Sequence, residues 1–310
     1  ASRGTGDLQY KTLESLPYKP TGAQTRALGD IAADMAAETR MNRLLQGDVG
    51  SGKTLVAFLA LLIAVEAGGQ GGMMAPTEIL ARQHLESLAP LAAAAGVRLE
   101  ILTGRDKGGE RAAKLADLAS GAIQIMVGTH ALFQKEVEFR DLRLAVIDEQ
   151  HRFGVAQRME LGAKGLAADV LVMTATPIPR SLALASYGDM DVSVLDEKPP
   201  GRQPVKTALI PASRYDEVVA HLAHAIGEGR RAYWVCPLVE ESEVVDLTAA
   251  EDRFRALRAS LGEGRVGLVH GQMAPADKDA AMADFVAGRT QVLVATTVIE
   301  VGVNVPEATI

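Results

Sequence analysis

The segment 47–54 reads GDVGSGKT and combines three glycines with a lysine and a threonine. Glycines let the backbone curl until successive N–H groups point at one anion, so this pattern is typical of a phosphate-binding loop. Lys53 adds a positive charge for terminal phosphates, and the Thr54 hydroxyl is suited to Mg²⁺. We therefore predict that a nucleotide with Mg²⁺ is bound by Gly47, Asp48, Val49, Gly50, Ser51, Gly52, Lys53 and Thr54.

The residues on both sides of this loop fit that use. The pattern at Arg43–Gln46 predicts a short buried strand, and Leu55–Val65 predicts a buried helix. A chance match is the alternative in a chain with 30 glycines. The order of strand, glycine loop and helix weighs against it.

Two carboxylates follow a second apolar run. The run Leu142–Ile147 predicts a buried strand that ends at Asp148 and Glu149. Ligands of an open parallel sheet bind beyond the carboxyl ends of its strands, so we expect both carboxylates to face the nucleotide. We predict that Asp148 binds Mg²⁺ and that Glu149 acts as a base or orients water. An acidic turn is the alternative, but the glycine loop favours a nucleotide hydrolase.

The composition limits the classes to which the chain can belong. Its 310 residues suffice for two domains, and a hydrophobic content of 48% excludes a mainly disordered chain. The longest apolar run is too short for a bilayer, which needs about 20 residues, and no signal-peptide pattern opens the chain. We therefore expect a cytoplasmic protein without membrane contact.

The single cysteine and two spaced histidines add no further chemistry. Cys236 lies in an apolar run predicted to be a strand, so we interpret it as a core residue rather than a nucleophile. His221 and His224 have no carboxylate or cysteine cluster beside them in the sequence, which favours a solvated helix face over a zinc site. We predict no metal other than Mg²⁺.

Strand-like and helix-like runs alternate along most of the chain, which predicts parallel sheets covered by helices and the α/β class. A helix is predicted at Ala23–Glu38, where Thr21 and Gln24 have the spacing of a capping box. The other elements predicted in the first half are Gly72–Ala75, Glu78–Ala95, Arg98–Leu102, Glu110–Ala119, Ile123–Val127 and Val170–Met173.

The segment 196–204 reads DEKPPGRQP and gathers three prolines, a glycine and four charges. It predicts a linker between a domain at 1–195 and a second domain at 205–310. In the second domain the predicted elements are Val205–Ile210, Ser213–Ile226, Ala232–Cys236, Ala249–Leu261, Val266–Val269, Ala276–Ala287 and Gln291–Ala295.

Short segments along nearly the whole chain resemble the motif series of superfamily 2 helicases, and most closely that of the RecG family of branched-DNA helicases. They are LPYKPTGAQ at 16–24, APTEILARQH at 75–84, VGTHALF at 127–133, DEQHRFG at 148–154, TATPIPR at 174–180, VCPLVEES at 235–242, VHGQM at 269–273 and ATTVIEVGVNVPEAT at 295–309. The resemblance implies two RecA-like lobes, the second incomplete at its C-terminus. It also implies an ATP-dependent DNA translocase that acts as a monomer and remodels stalled forks and Holliday junctions in recombination and repair.

The resemblance assigns roles that spacing alone does not. Gln24 is similar to the glutamine that contacts adenine, and the helix cap is its alternative use. Gln150 and His151 resemble the link from the γ-phosphate to the second lobe. The segment that couples hydrolysis to DNA movement corresponds to Thr174, Ala175 and Thr176.

Nine residues lie in segments that line the DNA path in the family. Their hydroxyls, backbone N–H groups and cations suit contact with phosphates regardless of base sequence, so the net charge of −7 is no obstacle. An ordinary surface or capping use is the alternative for each of them. They are Thr77, Arg82, Thr103, Gly104, Thr129, His130, Gly271, Thr296 and Thr297.

The chain departs from the family pattern in places. Asn304 stands where an aspartate is usual, and Pro20 stands where a leucine is usual. By comparison with the family, we expect the chain to lack the arginine-finger segment, which would follow Ile310, and the N-terminal wedge domain that grips branched DNA. Two other functions stay open, namely the translocase module of a transcription-repair coupling factor and a non-catalytic nucleotide-binding fragment. The sequence DEQH at 148–151, where the coupling factors have DEEQ, weighs against the former.

Overall fold

The computed structural model describes residues 1–148, 168–175, 190–197, 203–237, 243–296 and 305–310. The chain divides into two compact units, residues 1–202 and 203–310. Each unit contains a sheet in which every described strand pair is parallel. The predicted α/β class is therefore confirmed.

The first unit is built on a seven-stranded sheet in the order β3-β4-β2-β5-β6-β1-β7. Its strands are β1 (Asn42–Gly47), β2 (Gln70–Met74), β3 (Leu99–Leu102), β4 (Ile125–Gly128), β5 (Leu142–Asp148), β6 (Asp169–Thr174) and β7 (Asp191–Leu195). Its described helices are α1 (Asp7–Glu14), α2 (Gly22–Ala36), α3 (Lys53–Glu66), α4 (Glu78–Ala95) and α5 (Gly108–Ser120), with a short 3₁₀ turn at His130–Phe133.

The core of this unit follows from two apolar patterns. The residues of α3 from Leu55 to Val65 are all buried, as expected of a helix that is apolar on every side. The central strands β2 and β6 are buried at every position, which is typical of parallel strands covered on both faces. The apolar runs of the sequence thus fix the strands and the helix that carry the loop.

The ends of two helices are also set by local sequence. Thr21 Oγ1 accepts a hydrogen bond from the Gln24 amide (3.2 Å), and Gln24 Oε1 accepts one from the Thr21 amide (2.9 Å). The predicted capping box is therefore confirmed. Helix α4 covers the predicted residues; its N-cap is Thr77, and Gly96, with φ of 70°, ends it.

The second unit has a three-stranded sheet in the order β8-β10-β9, formed by β8 (Ala232–Cys236), β9 (Val266–Val269) and β10 (Val292–Thr296). Its described helices are α6 (Tyr215–Gly227), α7 (Glu243–Leu261) and α8 (Pro275–Val286), and a 3₁₀ turn lies at Ala212–Arg214. Its core includes Leu222, Ile226, Leu257, Val266 and Val292. Among the described residues of the chain, no helix is long and apolar enough to cross a bilayer.

One predicted strand is wrong. Residues 203–210 adopt no regular secondary structure, and the side chains of Val205 and Leu209 are exposed. Alternating side chains make a strand only where a neighbour supplies ladder hydrogen bonds, and no described strand pairs with this segment. Helix α7 also begins before the predicted Ala249.

Helix α1 and strand β7 were not predicted, because contacts distant in sequence stabilise them. The Glu66 carboxylate, at the end of α3, accepts hydrogen bonds from the Gly6 amide (2.8 Å), the Leu8 amide (2.9 Å) and Thr5 Oγ1 (2.9 Å), so it caps α1. Burial works to raise the pKa of Glu66, but these hydrogen bonds outweigh it and hold the pKa below its usual value. Strand β7 is short and pairs with β1 at the edge of the sheet.

Candidate functional site

Parallel strands bring three of the predicted site residues, two for the nucleotide and one for coupling, to one stretch of a sheet edge. Gly47 ends β1, Asp148 ends β5 and Thr174 ends β6. In the sheet these strands are consecutive, in the order β5-β6-β1. The loop, the carboxylate and the proposed coupling segment therefore meet at the carboxyl edge, although the chain visits these strands far apart.

The predicted DNA residues of the first unit occupy the other part of the same edge. Thr103 follows β3, Thr129 follows β4 and Thr77 comes shortly after β2. These strands are consecutive in the order β3-β4-β2, and β2 pairs with β5. We call the ends of β5, β6 and β1 the nucleotide half of the edge, and the ends of β3, β4 and β2 the DNA half.

The glycines of the loop are required by backbone shape and by space. Gly50 and Gly52 have φ of 80° and 86°, a region that side chains disfavour. A Cβ on Gly52 would collide with Gln24 Nε2, and one on Gly47 would lie 2.5 Å from Ser51 Oγ. Helix α3 begins directly after Gly52, so its first N–H groups belong to the loop.

Lys53 lies inside the loop rather than in solvent. Its Nζ donates to the carbonyl oxygens of Gly47 (2.5 Å) and Asp48 (3.0 Å). Burial lowers the pKa of Lys53, and the carboxylates of Asp148 and Asp48 oppose that shift without cancelling it. The ammonium group is thus held among backbone oxygens, close to the carboxylate that ends β5.

The other loop residues differ in burial. Asp48, Val49 and Gly50 are exposed, whereas Thr54 is half-buried in the first turn of α3. The Ser51 hydroxyl is buried, and within the described part of the chain it has no hydrogen-bond partner. A buried hydroxyl without a partner is costly, so this oxygen is suited to a ligand in the loop.

Gln24 connects the cap of α2 to the loop. Its side chain is 5% exposed, and Nε2 donates to the Ser51 carbonyl oxygen (3.2 Å) while Oε1 completes the capping box. The capping use is therefore present. The contact with adenine that the resemblance implies stays a prediction, which the position of Gln24 beside the loop makes reasonable.

His84 is a site residue that the sequence analysis did not select. His84 Nε2 lies 2.7 Å from Asp148 Oδ2, and the two residues are only 8% and 7% exposed. In α4, His84 occupies a buried face with Leu80, Ala81 and Leu88. A histidine at an apolar position of a helix needs a polar partner, and this was the available signal.

On the DNA half, one carboxylate joins three side chains. Glu78 Oε1 accepts from Arg82 Nη2 (3.0 Å) and Thr103 Oγ1 (3.2 Å), and it lies 3.1 Å from Arg105 Nε. We call Glu78, Arg82, Thr103 and Arg105 the Glu78 cluster. Arg82 and Thr103 were predicted to contact DNA, whereas Arg105 was not selected.

The loop that carries Thr103 is itself braced. The Thr103 backbone amide donates to Asp106 Oδ2 (2.9 Å), and Lys114 Nζ donates to Asp106 Oδ1 (2.8 Å). Burial would raise the pKa of Asp106, but the hydrogen bonds from Lys114 and the Thr103 amide outweigh it and hold the pKa below its usual range. Asp106 therefore holds the backbone of Thr103 and the side chain of Lys114 in place, while Gly104 is exposed.

The remaining predicted residues on this half have mixed surroundings. Thr77 Oγ1 accepts from the Leu80 amide (3.3 Å), so the capping use applies to this threonine. Thr129 is buried, and its neighbour His130 is exposed at the start of the 3₁₀ turn. On the nucleotide half, Ala175, the coupling residue directly after β6, is half-buried.

In the second unit, two predicted residues are described. Gly271 is exposed, and its carbonyl oxygen accepts from Lys278 Nζ (3.1 Å). Thr296 is buried at the carboxyl end of β10. Predictions also fall on residues that lie outside the described ranges, namely Glu149, Gln150, His151, Thr176, Thr297 and Asn304.

Two family models match the chain. The model described as DEAD/DEAH box helicase matches residues 21–184, and the model described as Helicase conserved C-terminal domain matches residues 215–310. They cover most of both units.

Sequence relatives extend over nearly the whole chain. The ATP-dependent DNA helicase RecG of Escherichia coli strain K12 is 53% identical over 308 residues, which are 98% of this chain and 44% of that protein. RecG of Bacillus subtilis strain 168 is 51% identical over 299 residues, or 96% of this chain and 44% of the relative. The chain thus spans less than half the length of these relatives.

Solved structures agree with the fold. A structure of RecG bound to a three-way DNA junction has a TM-score of 0.85 and 42% identity, and the match covers 99% of this chain and 40% of that chain. Dbp5 of S. cerevisiae bound to RNA and ADP BeF3 has a TM-score of 0.66 at 18% identity, over 98% of this chain and 77% of its own. The second likeness concerns the fold alone, and together they confirm the predicted RecA-like architecture.

Proposed function

We propose that this chain, which belongs to the DEAD/DEAH box helicases, is the ATP-driven motor of a RecG-type DNA helicase. The observation that carries the proposal is the shared carboxyl edge of the first unit. One half of this edge holds the loop and Asp148, and the adjacent half holds the Glu78 cluster.

The loop and its surroundings fit ATP with Mg²⁺. The glycines leave room that a side chain would fill, and the buried Ser51 hydroxyl has no partner in the described ranges. The N–H groups of the loop and Lys53 would hold the phosphates, while Thr54 and Asp148 would hold Mg²⁺. When bound, Mg²⁺ neutralises part of the charge on the phosphates.

Residues after β5 and β6 complete the proposed reaction site. We assign Glu149 as the base or water-orienting residue, because it follows Asp148 directly at the edge. Gln150 and His151 would link the γ-phosphate to the second unit. Thr174, Ala175 and Thr176 would couple turnover to DNA movement, which the position of β6 between β5 and β1 supports.

The DNA half supports sequence-independent contact with a phosphate backbone. It offers the guanidinium groups of Arg82 and Arg105, which Glu78 holds in place, together with the exposed His130. The structure of a relative bound to a three-way DNA junction supports branched DNA as the substrate. We therefore propose a role at stalled forks and Holliday junctions in repair and recombination.

The proposed location is the bacterial cytoplasm, where the chromosome lies, since the relatives named above are bacterial proteins. A monomeric state stays a prediction. The 53% identity to RecG, which extends over 98% of the chain, favours this function over the translocase module of a transcription-repair coupling factor.

The test is ATP turnover by the full-length protein with and without forked DNA at matched low salt. We expect DNA to raise turnover, and forked DNA to raise it more than linear duplex of the same length. ATP binding without turnover under both conditions would favour the non-catalytic fragment instead. Equal stimulation by linear and forked DNA would contradict the branched substrate.

A further inference from the structure

We propose that His84 is a positioning residue that orients Asp148 for Mg²⁺ and transmits the state of the DNA half to the nucleotide half. This inference rests on the proposed function. Its observation is the buried hydrogen bond between His84 Nε2 and Asp148 Oδ2 at 2.7 Å, which links α4 to the end of β5.

The direction of this hydrogen bond follows from its chemistry. An ionised carboxylate only accepts hydrogen bonds, so Nε2 of His84 carries a proton and donates the hydrogen bond that Oδ2 accepts. The bond fixes one oxygen of Asp148 and thereby the plane of the carboxyl group. A ligand that is held by Asp148 would meet a carboxylate that is already oriented.

The surroundings of His84 explain why this bond is stable. The side chain lies on the face of α4 that carries Leu80, Ala81 and Leu88, all of them buried. A polar group in such a place costs free energy unless it is hydrogen-bonded. A leucine would suit this face better if packing were the sole requirement.

The same helix reaches the DNA half. Helix α4 has 18 residues and starts at Glu78, and Glu78 and Arg82 in its first turns belong to the Glu78 cluster. Pro90, the proline inside α4, lies beyond His84, so the stretch from Glu78 to His84 is uninterrupted helix. A displacement of its first turns by a bound phosphate backbone would therefore also move His84 against Asp148.

The experiment uses the full-length protein as wild type and as three variants. His84→Leu keeps the bulk and removes the donor. His84→Gln keeps an amide donor near the position of Nε2. Ser87→Ala is the matched control, because Ser87 lies one turn further along α4 and its Oγ donates to the His84 carbonyl oxygen (3.2 Å) rather than to Asp148.

Three quantities are measured for each variant. They are the Mg²⁺ concentration that half-saturates binding of a fluorescent ATP analogue, the ratio of ATP turnover with forked DNA to turnover without it, and the Kd for forked DNA. For His84→Leu we expect the half-saturating Mg²⁺ concentration to rise about 10-fold and the turnover ratio to fall about 10-fold, as for other residues that orient a metal-binding carboxylate. The Kd for DNA should stay within about twofold of wild type, because His84 is buried away from the exposed cations.

Recovery by the conservative variant distinguishes positioning from packing. We expect His84→Gln to bring the half-saturating Mg²⁺ concentration and the turnover ratio most of the way back to their wild-type values. Ser87→Ala should match wild type in both. Equal losses in the leucine and glutamine variants, or a leucine variant that behaves like wild type, would overturn the inference. If the leucine variant does not fold, His84→Asn replaces it, because its shorter amide cannot reach Oδ2, and the same losses are expected.

Failure of the proposed function would look different. A wild-type protein whose turnover ignores forked DNA would contradict the helicase function and the transmitting role of His84. The Mg²⁺ measurement needs no DNA and would still decide whether His84 orients Asp148.

Discussion

The nucleotide half and the DNA half of the carboxyl edge present their polar groups by different means. On the nucleotide half, the shape of the backbone does most of the positioning, through glycines at φ of 80° and 86° and the start of α3. On the DNA half, side chains position one another, since the single carboxylate of Glu78 contacts the side chains of Arg82, Thr103 and Arg105. A backbone site demands a particular local sequence, whereas a side-chain cluster requires segments that only folding brings together.

This difference predicts that substitutions in the nucleotide half cause large losses of ATP binding and turnover, whereas substitutions in the DNA half weaken DNA binding by smaller steps. The largest effect is expected for Lys53→Ala, which removes the ammonium group of the loop. ATP turnover of the full-length protein should fall at least about 100-fold, because charge on the transferring phosphoryl group loses its cation. The measurement is steady-state ATP hydrolysis with forked DNA. Turnover near the wild-type rate would remove Lys53 from the site.

Gly52→Ala tests whether the loop depends on backbone shape. The new Cβ would collide with Gln24 Nε2 at a residue with φ of 86°, so we expect a loss of about 1–3 kcal/mol in unfolding free energy and weaker ATP binding. Gly29→Ala is the control, because Gly29 lies inside α2 with nothing within 4 Å of its Cβ position. Alanine there should stabilise the helix by about 1 kcal/mol. Equal urea midpoints for the two variants would contradict the backbone argument.

Arg82→Gln tests the DNA half, where a smaller effect is expected. Losing one phosphate contact should weaken binding of forked DNA a few-fold and lower the slope of log Kd against log salt by about 1, with basal ATP turnover unchanged. Arg98→Gln removes the same charge at the opposite end of β3, where Arg98 pairs with Asp117 (2.8 Å). Identical salt slopes in the two variants would show that net charge alone matters.

Glu66→Gln lies outside both halves and should have the smallest effect. The folded pKa of Glu66 is depressed, so its contribution to stability is present above the unfolded pKa and is lost as pH falls through the folded pKa. We expect the variant to lose about 1 kcal/mol near neutral pH, as for the loss of a helix cap, and to approach wild type at an acidic pH below the folded pKa of Glu66. Urea midpoints at both pH values measure this. A constant difference across pH would exclude the ionised carboxylate as the cause.

The sequence predicted what depends on neighbouring residues. The strand before the loop, the buried helix after it, the capping box of α2 and the strand ending at Asp148 are all local patterns, and the structure has them. His84, Arg105 and the cap of α1 by Glu66 depend on strand order and helix placement, which no window of sequence contains. The wrong strand at Val205–Ile210 shows the same limit, because its alternating pattern has no described neighbour to pair with.

The pairing of β7 with β1 also has a mechanical consequence. Gly47, the first loop residue, is in register with Leu195, the last residue of β7, and a Cβ on Gly47 would lie 3.0 Å from the Leu195 Cβ. After β7 the chain continues to the boundary between the two units at residues 202 and 203. Tension on that connection would therefore act along β7 and load its ladder to β1 in shear, so that a pull on the chain after β7 reaches the strand that carries the phosphate loop.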